Sequence, residues 1–96
     1  MPDLGEAECI EAVNGATKAA SELRGMTGKT RGELLRNWFN LARQAQEDLA
    51  KIITSENGKT LAEARAEVTY AIDFIDWFAG AAPRIDGSVC SNHAGL

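Results

Sequence analysis

Ninety-six residues, 45% of them hydrophobic and 25% charged, allow one small globular domain with a single modest core. Ten Lys and Arg against fourteen Asp and Glu leave a net charge of −4. That excludes nucleic acid as the main partner, because no basic excess is available to neutralise phosphates. No apolar run approaches the roughly 20 residues that a membrane-crossing helix needs. The opening Met-Pro-Asp-Leu-Gly-Glu lacks the basic start and apolar stretch of a signal peptide, and Cys9 and Cys90 at opposite ends make no disulfide framework. The expectation is a soluble intracellular protein, cytoplasmic or mitochondrial, with no membrane partner.

Three segments carry helical periodicity, and none carries the alternation and turn chemistry of a strand hairpin. The first runs from Glu6 to Leu23, with Cys9, Ile10, Val13, Ala16, Ala20 and Leu23 spaced mostly by three and four. Its apolar side chains are small, and Cys9 reads as a small core residue on that face. Arg24 to Lys29, with Gly25 and Gly28, reads as a loop.

Thr30-Arg31-Gly32-Glu33 has the pattern of a capping box and predicts the start of a second helix. Leu34, Leu35, Trp38, Leu41, Ala42 and Ala45 form its apolar stripe. Gln46-Glu47-Asp48 marks a break, after which Leu49, Ile52 and Ile53 open a shorter continuation. Asn57-Gly58 is a strong stop, since both residue types tolerate the left-handed conformation that closes helices.

A second capping box, Thr60-Leu61-Ala62-Glu63, starts the third helical segment. One face holds Leu61, Ala64, Val68, Ile72, Ile75 and Ala79. Another holds Tyr70, Phe74, Trp77 and Ala81. A helix apolar over more than half its circumference expects cover on both sides, and 96 residues supply one layer of partner helices. Another domain, another chain or a missing remainder of this one is expected on the other side, with a homo-oligomer as one form of that cover. Pro83 and Gly87 end the helix, and a polar tail rich in Gly, Ser and Asn follows to Leu96. The predicted architecture is all-α, three or four helices with an irregular C-terminal tail, divided as a helical segment over 1–87 and a tail over 88–96.

Gly28-Lys29-Thr30 and Gly58-Lys59-Thr60 resemble the end of a phosphate-binding loop, but such a loop needs a glycine five positions before the Gly-Lys pair. Leu23 and Ile53 stand there, so both tripeptides read as helix-boundary punctuation. No Gly-x-Gly-x-x-Gly fingerprint occurs. Cys90, Ser91 and His93 lie in the tail, where nothing holds the geometry that a nucleophile and its base require. Two cysteines and one histidine do not complete a tetrahedral metal site without a carboxylate. Glu47, Asp48, Glu63, Glu67 and Asp73 read as a solvated face or as ion-pair partners rather than as paired acids. The residues therefore give no catalytic, cofactor-binding or metal site in this chain.

A family pattern does run through the sequence. Leu34-Leu35-Arg36-Asn37-Trp38-Phe39-Asn40-Leu41 is followed by Asp48-Leu49-Ala50-Lys51-Ile52-Ile53-Thr54 and by Glu56-Asn57-Gly58-Lys59-Thr60-Leu61-Ala62-Glu63-Ala64. Glu67-Val68-Thr69-Tyr70-Ala71, Phe74-Ile75-Asp76-Trp77-Phe78-Ala79 and Arg84-Ile85-Asp86-Gly87 complete it. From Thr27 to Gly87 this order resembles the N-terminal helical region of NAD(P)-dependent aldehyde dehydrogenases, nearest to their succinate-semialdehyde dehydrogenase branch.

The resemblance implies a larger enzyme with a Rossmann-type cofactor domain, a catalytic domain and a small oligomerisation hairpin, around which these helices would form an outer layer. Its chemistry is thiol attack on an aldehyde, hydride transfer to NAD or NADP, and hydrolysis of the thioester. The cysteine, glutamate, asparagine and lysine that this requires lie further along the family's chain. Cys90, Lys51 and Lys59 match none of their motifs. The chain is thus expected to be a fragment that stops about where the family's first hairpin strands begin, structural and inactive alone. The core and docking residues on this reading are Trp38, Phe39, Ile52, Val68, Ile72, Phe74, Ile75 and Trp77. Ser21 and Arg24 stand where the family commonly has Phe and Trp, which removes about 1.5–3 kcal/mol of burial per side chain and predicts a poorly docked first helix or a relaxed paralogue. The alternative is a stand-alone helical interaction protein that self-associates or binds a partner through the second face of the third segment.

Overall fold

Residues 3–90 are described by the computed structural model, so Ser91 and His93 lie outside the described residues. Four helices follow one another: α1 (Glu6–Gly25), α2 (Gly28–Gln44), α3 (Gln46–Asn57) and α4 (Leu61–Ala81), then a 3-10 turn at Ala82–Arg84. No strand occurs among the described residues, as the periodicity predicts.

The boundaries follow from capping chemistry. Gly58 adopts φ +85°, the left-handed closure expected after Asn57. Thr60 and Glu63 form the predicted box reciprocally: the Glu63 N–H donates to Thr60 Oγ1 at 3.3 Å, and the Thr60 N–H donates to Glu63 Oε2 at 3.1 Å. The break between α2 and α3 falls at Ala45, one residue before Gln46. The start of α2 differs from the expectation. Thr27, not Thr30, is the N-cap, and its hydroxyl oxygen accepts from the Thr30 N–H at 3.1 Å. Gly28 and Lys29 are therefore helical, and the loop shrinks to Met26 and Thr27.

Helix α4 is the spine, with α2 and α3 packed along one side of it. Ala50, Ala64, Val68 and Ile72 are buried between them, with Phe39, Ala42, Ile53 and Leu61 packed around. The predicted inner face of α4 is confirmed: Ala64, Val68, Ile72 and Ala79 are buried, and Leu61 and Ile75 are half-buried. At the other end of the crossing, Gly28 and Gly32 face the end of α4. A Cβ on Gly28 would lie 2.5 Å from the Ala82 carbonyl oxygen, and one on Gly32 would lie 2.9 Å from that of Ala79. Glycine at both places lets the two backbones meet. Polar clips register the layer. Arg65 grips Glu47 through two bonds of 2.7 and 2.8 Å, Gln46 donates to Thr69 at 2.7 Å, and Arg36 pairs with Asp76.

In α2 the sequence stripe merges two faces. Gly32 is buried and Leu35, Phe39 and Ala42 are half-buried against the core, whereas Leu34, Trp38 and Leu41 point away from it. Trp38 is 58% exposed. Trp38, Ile52, Phe74 and Trp77 are thus not core residues of this layer, while Val68 and Ile72 are.

Helix α1 stands apart. None of its residues is buried, and Cys9, expected in the core, is exposed. The stripe of small side chains offers too little area to hold it down, and Ser21 and Arg24 supply no large anchor. What fixes its end is Arg31 of α2, whose Nη1 donates to the Met26 and Leu23 carbonyl oxygens at 2.6 and 3.3 Å. The consequence is an elongated molecule. Its radius of gyration is 18.9 Å, against roughly 12–13 Å for a compact chain of this length.

Candidate functional site

Both Gly-Lys-Thr tripeptides lead into helix N-termini, where free N–H groups attract anions. Neither terminus is open. At α2 the Thr27 hydroxyl occupies the Thr30 N–H, and the backbone of Ala82 and Pro83 lies against Gly28. At α4 the Glu63 carboxylate itself accepts from the Thr60 N–H and hydroxyl, so a negative charge already fills the place that a phosphate would take. Those same bonds, first from the Thr60 side chain and then from its backbone, hold the Glu63 carboxyl below its ordinary pKa. A dinucleotide, which needs a strand, a Gly-rich turn and a free helix N-terminus, does not fit the described residues.

The acidic residues singled out in the sequence are dispersed. Glu47 is bonded by Arg65, which lowers the Glu47 carboxyl pKa and raises that of the guanidinium. Glu67 pairs with Lys59, and Asp48 with Lys51 at 3.9 Å. No group of three or more His, Cys, Asp or Glu side chains converges among the described residues. Cys90 is an exposed free thiol, and His93 lies outside the described residues.

Among the described residues, the built feature that remains is a surface. Along α4, Tyr70, Phe74, Trp77 and Phe78 recur at i, i+4, i+7 and i+8 on the side turned away from α2 and α3. Tyr70 and Trp77 are 68% and 74% exposed, and Phe74 and Phe78 are about half exposed. The Tyr70 and Phe74 rings meet edge to face, with centroids 5.0 Å apart and planes at 85°. Asp73 lines the same open groove. The second face expected from the sequence is therefore present, with Phe78 as a member in place of the half-buried Ala81. The i, i+4, i+8 spacing from Tyr70 was the signal for Phe78.

The scale of uncovered surface agrees. The chain exposes 7973 Å², whereas a compact monomer of this mass exposes roughly 5,400 Å². The excess is about three times the ~800 Å² that each partner gives to a standard protein interface. The outward faces of α4, α2 and α1 contribute, as do the exposed residues 85–90. No described helix is long and apolar enough to cross a membrane.

A helical layer with a close-packed inner side and an aromatic outer side is the kind of element that packs onto a larger fold. The sequence model of the aldehyde dehydrogenase family matches residues 1–95, and the chain belongs to that family. It is 44% identical over 93 residues to the NADP(+)-dependent succinate-semialdehyde dehydrogenase of Escherichia coli strain K12, covering 97% of this chain and 19% of that enzyme. It is 45% identical, with the same coverage, to the glutarate-semialdehyde dehydrogenase of Pseudomonas putida. A crystal structure of an E. coli NADP-dependent enzyme superposes with a TM-score of 0.85 at 44% identity, over 97% of this chain and 19% of that one. The chain thus spans about a fifth of the length of these relatives.

Proposed function

We propose that the chain serves as the N-terminal helical layer of a dehydrogenase that oxidises a short semialdehyde, succinate or glutarate semialdehyde, to the dicarboxylic acid with NADP or NAD. The observation that carries this is the match along almost the whole chain, in sequence to semialdehyde dehydrogenases and in backbone to an NADP-dependent enzyme. The nicotinamide cofactor would supply hydride acceptance elsewhere in the enzyme, and these residues would contribute structure. Val68, Ile72, Ala64 and Ala50 hold the layer together, and Tyr70, Phe74, Trp77 and Phe78 are its docking side. An intracellular, cytoplasmic or mitochondrial setting goes with this reading.

Two measurements test it. An antibody against the segment should detect, in the source cells, a polypeptide several-fold longer than 96 residues. A band at the size of the 96-residue chain overturns the proposal. The purified chain should form no NADPH or NADH from succinate or glutarate semialdehyde, and reproducible turnover would sink the structural role.

A further inference from the structure

We infer that Arg31 is a positioning residue: its guanidinium locks the corner between α1 and α2, so that α1 leaves the layer of α2, α3 and α4 in one set direction although none of its own residues is buried. The inference stands on the fold alone. The proposed function says what α1 belongs to, and Arg31 is what aims it.

Helices commonly close on a left-handed residue that returns N–H groups to the last carbonyls. Helix α1 does not. Gly58 is the residue with positive φ among the described ones, so Gly25 supplies no such closure although its residue type allows it. The two link residues are both extended, Met26 at φ −84° and ψ 151° and Thr27 at φ −66° and ψ 155°. The cap returns one bond, from the Met26 N–H to the Leu23 carbonyl oxygen at 3.2 Å. The rest of the closure comes from α2. Arg31 bonds both link residues: its backbone N–H donates to the Thr27 carbonyl oxygen at 3.1 Å, and its Nη1 to that of Met26 at 2.6 Å. The same Nη1 reaches the Leu23 carbonyl oxygen at 3.3 Å. A charged donor makes the stronger kind of hydrogen bond, and at a helix C-terminus it also meets the negative end of the helix dipole.

Packing does not take over this role. At its C-terminal end α1 presents Ala20, Leu23 and Arg24 to Ile85 across an open hollow that Arg31 also lines. Leu23 and Ile85 stay 41% and 72% exposed. A 20-residue helix is about 30 Å long, so small rotations about two extended link residues would swing its far end through a wide arc. Bonds from one side chain to carbonyl oxygens on both sides of Gly25 remove those rotations at their base. Arg24 puts a second cation in the same hollow, and no hydrogen bond ties it to either carbonyl oxygen among the described residues.

The test measures the direction of α1 by pulsed electron paramagnetic resonance. One spin label sits on the exposed Cys9 of α1 and one on α3 at Ser55→Cys, with Cys90→Ser removing the other exposed thiol. The labelled 96-residue chain is diluted into unlabelled chain so that only distances within one molecule are read. The parent with Arg31 is expected to give one narrow distance distribution. Arg31→Met, which keeps the apolar stem and removes every donor, should at least double its width while the helix content by circular dichroism stays the same. Arg24→Met, which removes the neighbouring cation, should leave the width unchanged. A parent distribution as broad as that of Arg31→Met overturns the inference. Equal broadening by Arg24→Met overturns it too, because charge in the hollow and not the two bonds would then set the angle. A loss of helix in Arg31→Met makes Arg31 a folding residue of α2 and overturns the positioning role. None of these outcomes touches the reading of the chain as part of a dehydrogenase, which the size of the native polypeptide decides.

Discussion

Gly-Lys-Thr occurs twice in this chain, each time entering a helix, and the two copies do different work. At residues 28–30 the glycine lies inside the first turn of α2, and its missing side chain leaves room for the backbone at Ala82 and Pro83. The threonine there is the third helical residue and donates its N–H to Thr27. At residues 58–60 the glycine closes α3 in the left-handed conformation with open space around it, and the threonine is itself the cap of α4. The first glycine answers to a neighbouring helix and the second to its own dihedral angles. Identical tripeptides are thus separated by what precedes them, a capping Thr27 in one case and a finished helix in the other, and by what packs on them.

Substitutions can break that contrast. The largest effect is expected at Gly28→Ala, where the added carbon meets backbone that has no rotamer to change. Overpacking of this kind costs about 1–3 kcal/mol, which thermal unfolding would read as a drop of roughly 4–8 °C per kcal/mol in a domain of this size. Gly58→Ala should cost about 1–2 kcal/mol through the left-handed φ alone. The two sites separate cleanly with asparagine. Gly58→Asn should recover most of the alanine loss, because Asn tolerates that conformation, whereas Gly28→Asn should be worse than Gly28→Ala. Equal recovery at both sites would show that Gly28 too is a conformational glycine.

Smaller effects sharpen the comparison of the two caps. Thr27→Ala and Thr60→Ala should each cost about 1 kcal/mol in thermal melts. Glu33→Ala should fall within about 0.5 kcal/mol, as at an ordinary exposed site, because Glu33 closes no box on Thr30. A loss as large as that of Thr27→Ala would restore the start of α2 to Thr30.

The smallest expected signal is the pH dependence. Bonding from Thr60 sets the folded pKa of Glu63 below its unfolded value of 4.5. Its contribution is therefore complete above that value and lost as pH falls through the lower, folded pKa. Glu47 behaves alike through Arg65. Glu63→Gln and Glu47→Gln should each flatten the fall in stability on the acid side of pH 4.5, followed by the melting temperature across an acid titration. An unchanged acid limb in both would remove these carboxylates from the account.

Much of α3 and α4 was legible because their signals are local. Asn57-Gly58 and Thr60…Glu63 specify their own conformations, and the apolar face from Leu61 to Ala79 holds helical spacing over the whole element. In α2 the apolar residues outnumber the positions that one neighbour can cover. Spacing alone could not show that Leu35, Phe39 and Ala42 turn inward while Leu34, Trp38 and Leu41 turn out. For α1 the stripe of Cys, Ala and Val suggested a core place for Cys9, whereas Ser21 and Arg24 in place of large side chains pointed to the poor docking that the structure has. The aromatic face was legible as a surplus of apolar residues on α4 that one layer of helices could not cover, although Phe78 takes the place expected for Ala81. Arg31, which holds the end of α1 through two carbonyl oxygens, left no periodic signal at all.

The sequence by itself determined the helical class, the caps at Gly58 and Thr60, the inner face of α4 and, through the order of its motifs, the aldehyde dehydrogenase family. These depend on interactions within a few residues or on residue order, both of which the linear chain carries. Only the tertiary structure decided that α2 begins at Gly28, that Gly28 and Gly32 seat the end of α4, and that Cys9 lies exposed on an undocked α1. It also decided that Phe78, and not Ala81, joins Tyr70, Phe74 and Trp77 on the outward face. Each of these is settled by which surfaces meet across distant parts of the chain, where a single methyl group against a carbonyl oxygen outweighs local preference.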